Sequence, residues 1–256
     1  MDFGARAHSV RDVMFLAEAG FDFAEIDWKD PDAAMTAVGE LSRLREEYGI
    51  AFLAHGPNEG NPFDITEIVE RLEPRVRELL CLAPKLGITL YTQHLWLDTR
   101  FVSHEVIAGK LDLLERWLEV ANRVGVTLCI ENLSEWAEHF RAAFDRLPEL
   151  RMTLDVGHGE ILSPTNASFG LIATFSDRLR HVHLHDNRGG NRIQDDLHLP
   201  VGEGSIDFAG ILGALCSKGY KGGLSFEVGL DHVTSCREVV RTMLDSPLSR
   251  ERAAVS

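Results

Sequence analysis

Nine residues able to hold a cation or move a proton stand at or just after the ends of short apolar runs: His55, His94, Glu131, Asp155, His158, His183, Asp196, His198 and Glu227. Imidazole nitrogens and carboxylate oxygens are the ligands that divalent Mn, Co, Mg and Zn take. Two carboxylates beside such an ion can also pass a proton to and from a substrate. Singly, each has an ordinary structural explanation: a strand-end His caps or hydrogen-bonds, Glu131 or Glu227 pairs with an Arg, and Asp155 closes a turn. Their common place in a repeating pattern is what carries weight.

That pattern alternates short apolar runs with longer amphipathic ones. Strands are expected over residues 3–7, 23–27, 50–54, 89–92, 126–130, 151–154, 179–184 and 224–226. Helices are expected over 10–19, 33–48, 65–86, 105–124, about 136–146, 168–175, 208–218 and from about 234 onward. Glycines such as Gly20, Gly49 and Gly125 close helices just before the next strand, as a left-handed cap requires. Eight such units in 256 residues predict a single α/β domain over 1–256, a (β/α)8 TIM barrel rather than an open doubly wound sheet. In a barrel of this kind the working residues come from the C-terminal strand ends and the loops beyond them. Strands three to eight each deliver an imidazole or a carboxylate there. Five imidazoles and four carboxylates at one mouth repel or stay unsatisfied unless cations sit between them. The 186–205 segment is longer than a usual strand-to-helix loop, and it carries Asp196 and His198.

Composition narrows the partners. Acids outnumber bases 40 to 26, giving a formal charge of −14. A polyanion would approach against that field, so nucleic acid is not the expected partner. No apolar run reaches the roughly 18 residues needed to cross a bilayer. The start Met1-Asp2-Phe3-Gly4-Ala5-Arg6 lacks a signal's basic end and apolar stretch, so a cytoplasmic protein without membrane attachment is expected. Cys81, Cys129, Cys216 and Cys236 form no CxxC pair and are expected to be reduced, buried thiols. His8, His104, His139 and His232 are expected at the surface or in loops. His181 and His185 share a strand face with His183 and are expected to back the site or touch substrate. Arg6, Trp28, Trp96 and Trp136 fall near strand ends, where each either shapes a pocket or is structural.

At these residues the sequence resembles the xylose isomerase-like barrel superfamily, which includes sugar isomerases and epimerases and the endonuclease IV-type nucleases. The matching pieces are Ile130-Glu131-Asn132, Asp155-Val156-Gly157-His158, and the strand His181-Val182-His183-Leu184-His185-Asp186. The run from Asp196-Leu197-His198 through Pro200-Val201-Gly202-Glu203-Gly204, and then Phe226-Glu227, complete the match. Together they span nearly the whole chain.

The resemblance implies two patterns. In the epimerase branch one divalent ion is held by Glu131, Asp155, His183 and Glu227, with Glu131 and Glu227 as the opposed proton-transfer pair. His158 and Arg188 would then bind the substrate, a sugar or sugar phosphate. In the nuclease branch three zinc ions recruit His55, His94, His158, Asp196 and His198 as well, and abasic DNA is cut. This chain has a suitable residue at all nine places, so more than one ion is compatible with it. The charge balance favours the metal-dependent isomerase or epimerase over the phosphodiesterase. A non-catalytic sugar-binding barrel is a third reading, against which the two opposed glutamates speak. Members of the superfamily often form dimers or tetramers, so a homo-oligomer is compatible with the resemblance.

Overall fold

The computed structural model describes residues 1–246; the expected domain's tail, 247–256, lies outside the described residues. Eight parallel strands close into one barrel in sequence order: β1 (Phe3–Ala7), β2 (Phe23–Asp27), β3 (Ala51–His55), β4 (Leu90–His94), β5 (Thr127–Glu131), β6 (Arg151–Asp155), β7 (Leu179–Leu184) and β8 (Gly223–Phe226). The helices are α1 (Val10–Glu18), α2 (Pro31–Tyr48), α3 (Ile65–Leu82), α4 (His104–Val124), α5 (Ala137–Arg146), α6 (Ser168–Phe175), α7 (Phe208–Ser217) and α8 (Leu230–Asp245). No helix among the described residues is long and apolar enough to cross a membrane.

Local chemistry sets the boundaries. Ser9, Asp30, Asp64, Ser103 and Asp207 each cap a helix with a side-chain oxygen that accepts a backbone N–H. Gly49 and Gly125 end α2 and α4 in the left-handed conformation, at φ 72° and 74°. The expected helix over 65–86 is shorter: α3 stops at Leu82 and passes into a 3-10 turn at Ala83–Leu86, where Pro84 has no N–H to continue the ladder. Strands β3, β4 and β5 run slightly past the apolar stretches, so His55, His94 and Glu131 are their last residues rather than the first of the loops.

Strand register brings these ends into one layer. Asp27 lies beside His55, His94 beside Glu131, and Asp155 beside His183. Below that layer a hydrogen bond of 2.8 Å joins the buried Thr92 and Thr153 hydroxyls inside the barrel. The Phe23 ring packs edge-on against His181, in space that Gly4 and Gly223 leave open by having no side chain. Helices α3 and α4 pack outside, with Leu79 and Trp117 wholly buried.

A buried ion pair ties the loops after β3 and β4 to helix α4. Lys110 is wholly buried on α4; its ammonium lies 2.7 Å from Glu59 and donates to the carbonyl of Trp96 at 2.8 Å. Glu59 in turn accepts the Trp96 backbone N–H at 2.8 Å. Burial pushes the lysine pKa down and the glutamate pKa up, so each depends on the other to stay charged. Lys110→Ala strands Glu59 without its cation and should lower the unfolding free energy by roughly 3–5 kcal/mol in a urea titration. A loss of only about 0.5 kcal/mol, as at an ordinary surface site, would contradict this role.

Candidate functional site

The floor of the mouth is a carboxylate clasped by imidazoles. Glu25, midway along β2 and wholly buried, accepts hydrogen bonds of 3.0 Å from Nε2 of both His181 and His183. Burial alone would raise its pKa, but the two rings hold it well below the usual carboxylate range. The other nitrogen of His183, Nδ1, faces Glu131 at 3.1 Å, Glu227 at 3.3 Å and Asp155 at 3.6 Å. Burial opposes charge on this ring, yet Glu25, Glu227 and Glu131 raise its pKa well above the ordinary value. Arg6 on β1 completes the floor, its guanidinium 3.7 Å from Glu25 and 3.4 Å from Glu227.

Glu131 is the hub. One carboxylate oxygen lies 2.7 Å from Nε2 of His94 and 3.1 Å from Nε2 of His55, and the other lies 3.1 Å from His183 and 3.4 Å from His158. The second nitrogen of His55 faces the carbonyl of Gly56 at 3.1 Å. Carbonyls and carboxylates only accept, so a neutral ring can satisfy just one of its two neighbours. Burial and the charge of Arg6 lower the His55 pKa, so the neutral form is the stable one there. His158 repeats the arrangement, between the Asn132 carbonyl at 3.0 Å and Asp196 at 3.3 Å. So does His198, between the Glu227 carbonyl at 2.7 Å and Asp196 at 3.1 Å. Acceptor-only surroundings of this kind suit cations placed between the groups.

The long loop after β7 is pinned by its own side chains. Asp186 accepts backbone N–H groups from Asn187 at 2.9 Å, Gly202 at 3.0 Å, Gly204 at 2.9 Å and Ile206 at 3.2 Å. Gly204 lies so close to Asp186 and the Asn187 carbonyl that a side chain there would collide with both. Asn187 donates to Asp196 at 3.2 Å and accepts from Leu197 at 2.6 Å. His198 is held at φ 47°, a left-handed conformation rare outside glycine. The loop is thereby folded back so that Asp196 and His198 face His158.

All nine expected groups therefore meet at one mouth; among the five clusters of described residues whose ligand atoms lie within 4.8 Å of one another, three cover all nine: Glu131, Asp155, His183 and Glu227; His55, His94 and Glu131; and His158, Asp196 and His198 with His185. The donor chemistry fits divalent ions in each set. A cleft of about 440 Å³ opens above them, lined among others by Arg6, His55, His94, His158, His198 and Glu227. Carboxylates hold His198 protonated up to about 9 despite its burial, and hold His158 well above the ordinary value.

Several expectations need correcting. Arg188 is exposed, donates to the carbonyl of Glu203 at 3.2 Å and does not line the cleft. His139 is buried rather than superficial, because its Nδ1 caps α5 by accepting the Trp136 N–H at 3.0 Å. Trp28 is structural, its indole donating to the Leu79 carbonyl at 2.9 Å beneath the helices. Trp96 stands at the rim, stacked on Phe101, and Trp136 lies under the Arg100 guanidinium. Of the four thiols, Cys129 and Cys236 are buried, Cys216 is half-buried and Cys81 is exposed. Glu25 is the residue sequence reasoning passed over. The signal was there: an acid inside an apolar strand, two positions before Asp27, must point into the barrel with it.

Comparison with known proteins follows the same lines. The model of the xylose isomerase-like TIM barrel family matches residues 13–245. The uncharacterized protein MJ1311 of Methanocaldococcus jannaschii is 26% identical over 253 residues, covering 90% of this chain and 83% of its own. A D-tagatose 3-epimerase-like protein superposes with a TM-score of 0.84 at 23% identity, over 98% of this chain and 99% of that one. The D-allulose 3-epimerase from Methylomonas sp. in complex with D-allulose gives 0.77 at 20% identity, over 95% and 97%. At these identities the superpositions establish a shared fold.

Asp186→Ala removes the acceptor of four backbone donors and should cost about 1–3 kcal/mol of stability. Hydrogen exchange should accelerate at Gly202, Gly204 and Ile206 before it does in the barrel strands. Unchanged protection at those amides would show that the loop is held by something else.

Proposed function

This chain belongs to the xylose isomerase-like TIM barrel family, and from that premise we propose that it is a divalent-metal-dependent isomerase or epimerase of a sugar or sugar phosphate. The observation that carries this reading is that two carboxylates, Glu131 and Glu227, both approach His183 Nδ1, at 3.1 and 3.3 Å, beneath an open cleft. Glu131, Asp155, His183 and Glu227 are the ligand set, three oxygens and one nitrogen, which suits Mn, Co, Mg or Zn. When bound, such an ion supplies Lewis acidity that polarises a substrate carbonyl and acidifies the adjacent C–H.

The chain's own groups would do the rest. His183 and Arg6 hold the Glu227 carboxylate below its ordinary pKa although burial pushes the other way, so it is ready to take a proton. Glu131 is kept ionised by His94 and His183 against the same burial. One carboxylate removes the proton next to the carbonyl and the other returns it from the opposite side. Arg6 fixes the Glu227 carboxylate in place from the barrel floor, and His55 and His94 line the cleft wall. A cleft of about 440 Å³ suits a small polar substrate.

A second reading rests on one specific observation: the three ligand sets share or adjoin Glu131, as the zinc phosphodiesterase pattern for abasic DNA requires. Against it stand the charge of −14 and a cleft whose Arg6 and Lys29 side chains are both committed to Asp27. Duplex DNA presents a phosphate charge about every 1.7 Å and is gripped by many free basic groups.

Incubation with ketoses and their phosphates in deuterated water should give an epimer or isomer carrying deuterium beside the carbonyl, and chelation followed by Mn or Co addition should abolish and restore it. Glu227→Gln should lower kcat by roughly 10²–10⁴-fold. Cleavage of abasic DNA with zinc, together with no exchange on any sugar tested, would replace this reading with the second.

A further inference from the structure

Glu25 lies beneath the cleft and outside the proposed ligand set, yet its surroundings give it a narrower task than filling the barrel. It is wholly buried midway along β2 and does not line the cleft. Its two oxygens are divided between two rings: Oε1 accepts from Nε2 of His183 and Oε2 from Nε2 of His181, each at 3.0 Å. The rings stand nearly perpendicular, their centroids 5.0 Å apart and their planes at 87°, and Phe23 packs edge-on against His181.

The two rings differ at their other nitrogen. Nδ1 of His181 is buried and finds no hydrogen-bond partner among the described residues. A proton there would go unsatisfied, so this ring carries its proton on Nε2, toward Glu25. Nδ1 of His183 instead faces Glu131, Glu227 and Asp155, at 3.1, 3.3 and 3.6 Å. Those carboxylates draw a proton onto Nδ1, the nitrogen that points toward the ion position. Glu25 competes for it at Nε2. An acceptor that anchors the outer N–H of a metal-bound histidine sets both its tautomer and its orientation.

We propose that Glu25 is a positioning residue, holding the His183 proton on Nε2 so that the Nδ1 lone pair is free for the ion shared with Glu131, Asp155 and Glu227. His181 occupies the second oxygen and keeps the carboxylate from turning away. Neither Glu25 nor His181 lines the cleft, so both act through His183. The inference rests on the proposed ligand set, not on the reaction it serves.

Glu25→Gln makes the consequence specific. A glutamine has one accepting oxygen and one donating amide, so it takes a proton from one ring but must give one to the other. The ring that receives it has to move its own proton to Nδ1. His181 has no acceptor there and His183 has three, so His183 gives way and its Nδ1 is blocked.

Titration of the apoproteins with Mn(II), the free ion being read by electron paramagnetic resonance, tests this. Glu25→Gln should bind the ion about 10–100-fold more weakly than the wild type. Replacing His181 as well, in a Glu25→Gln/His181→Leu protein, lets the amide turn its oxygen to His183 and should restore most of the lost affinity. Loss of a negative charge alone would leave the double variant as weak as the single one, and that result overturns the proposal. So does a Glu25→Gln protein that binds like the wild type. A wild type that binds no Mn(II) removes the ligand set itself, and the positioning role with it. Where a variant does not fold, NMR of the isotope-labelled histidine rings in the zinc-loaded wild type decides. Protons on Nε2 of both His181 and His183 are expected there, and a His183 ring without one overturns the proposal.

Discussion

The organising constraint in this molecule is a shortage of positive charge at the mouth of a barrel. Glu25, Glu131 and Asp155 are fully buried, and burying a carboxylate in protein is costly unless something cationic or donating meets every oxygen. The rings that meet them are themselves caught between acceptors. His55 stands between Glu131 and a carbonyl, and His158 and His198 each stand between Asp196 and a carbonyl. Protons on imidazole balance this arrangement only in part. Divalent cations balance it with fewer conflicts, because one ion satisfies several lone pairs at once.

Much of the surrounding structure serves to keep those groups where they are. Parallel register sets His94 beside Glu131 and Asp155 beside His183, so adjacent strands cannot slip without separating ligands. Asn132 bonds both the N–H and the carbonyl of Asp155 at 2.8 Å, locking the end of β6 to the turn after β5. Above the barrel, Glu59 with Lys110 and Asp98 with Arg100 fasten the loops after β3 and β4. Asp98 accepts from the Arg100 guanidinium and from the Ser134 hydroxyl, reaching the loop after β5. These buried polar contacts hold irregular backbone in place.

The fold was legible because its periodicity is regular: helices, some of them closed by glycine, and apolar strands alternate eight times, and barrel geometry then dictates which end carries chemistry. The nine groups of the mouth were legible for the same reason. Residues whose meaning depends on the partner across the barrel were harder. Strand alternation points Glu25 into the barrel, but its partners His181 and His183 lie on β7 and are not indicated by its own neighbours in sequence. His139 sits on a helix that reads as surface, and the reach of its ring to the Trp136 N–H, the Trp136 indole and Asp98 accompanies its burial. Arg188 follows the strand that carries His183 and was expected to face the cleft. Its guanidinium instead donates to the carbonyl of Glu203, a contact no local sequence pattern records. Loop path is decided by such torsions and by single carboxylates such as Asp186, and both are tertiary facts.

The central claim is that the converging imidazoles and carboxylates exist to surround cations. Crystals soaked in manganese and measured at a wavelength where that metal scatters anomalously test it most directly. The account predicts a strong anomalous peak enclosed by Glu131, Asp155, His183 and Glu227, with those four side chains turned toward it. A map without any such peak at the barrel mouth, and with the rings still hydrogen-bonded to the carboxylates, would contradict it.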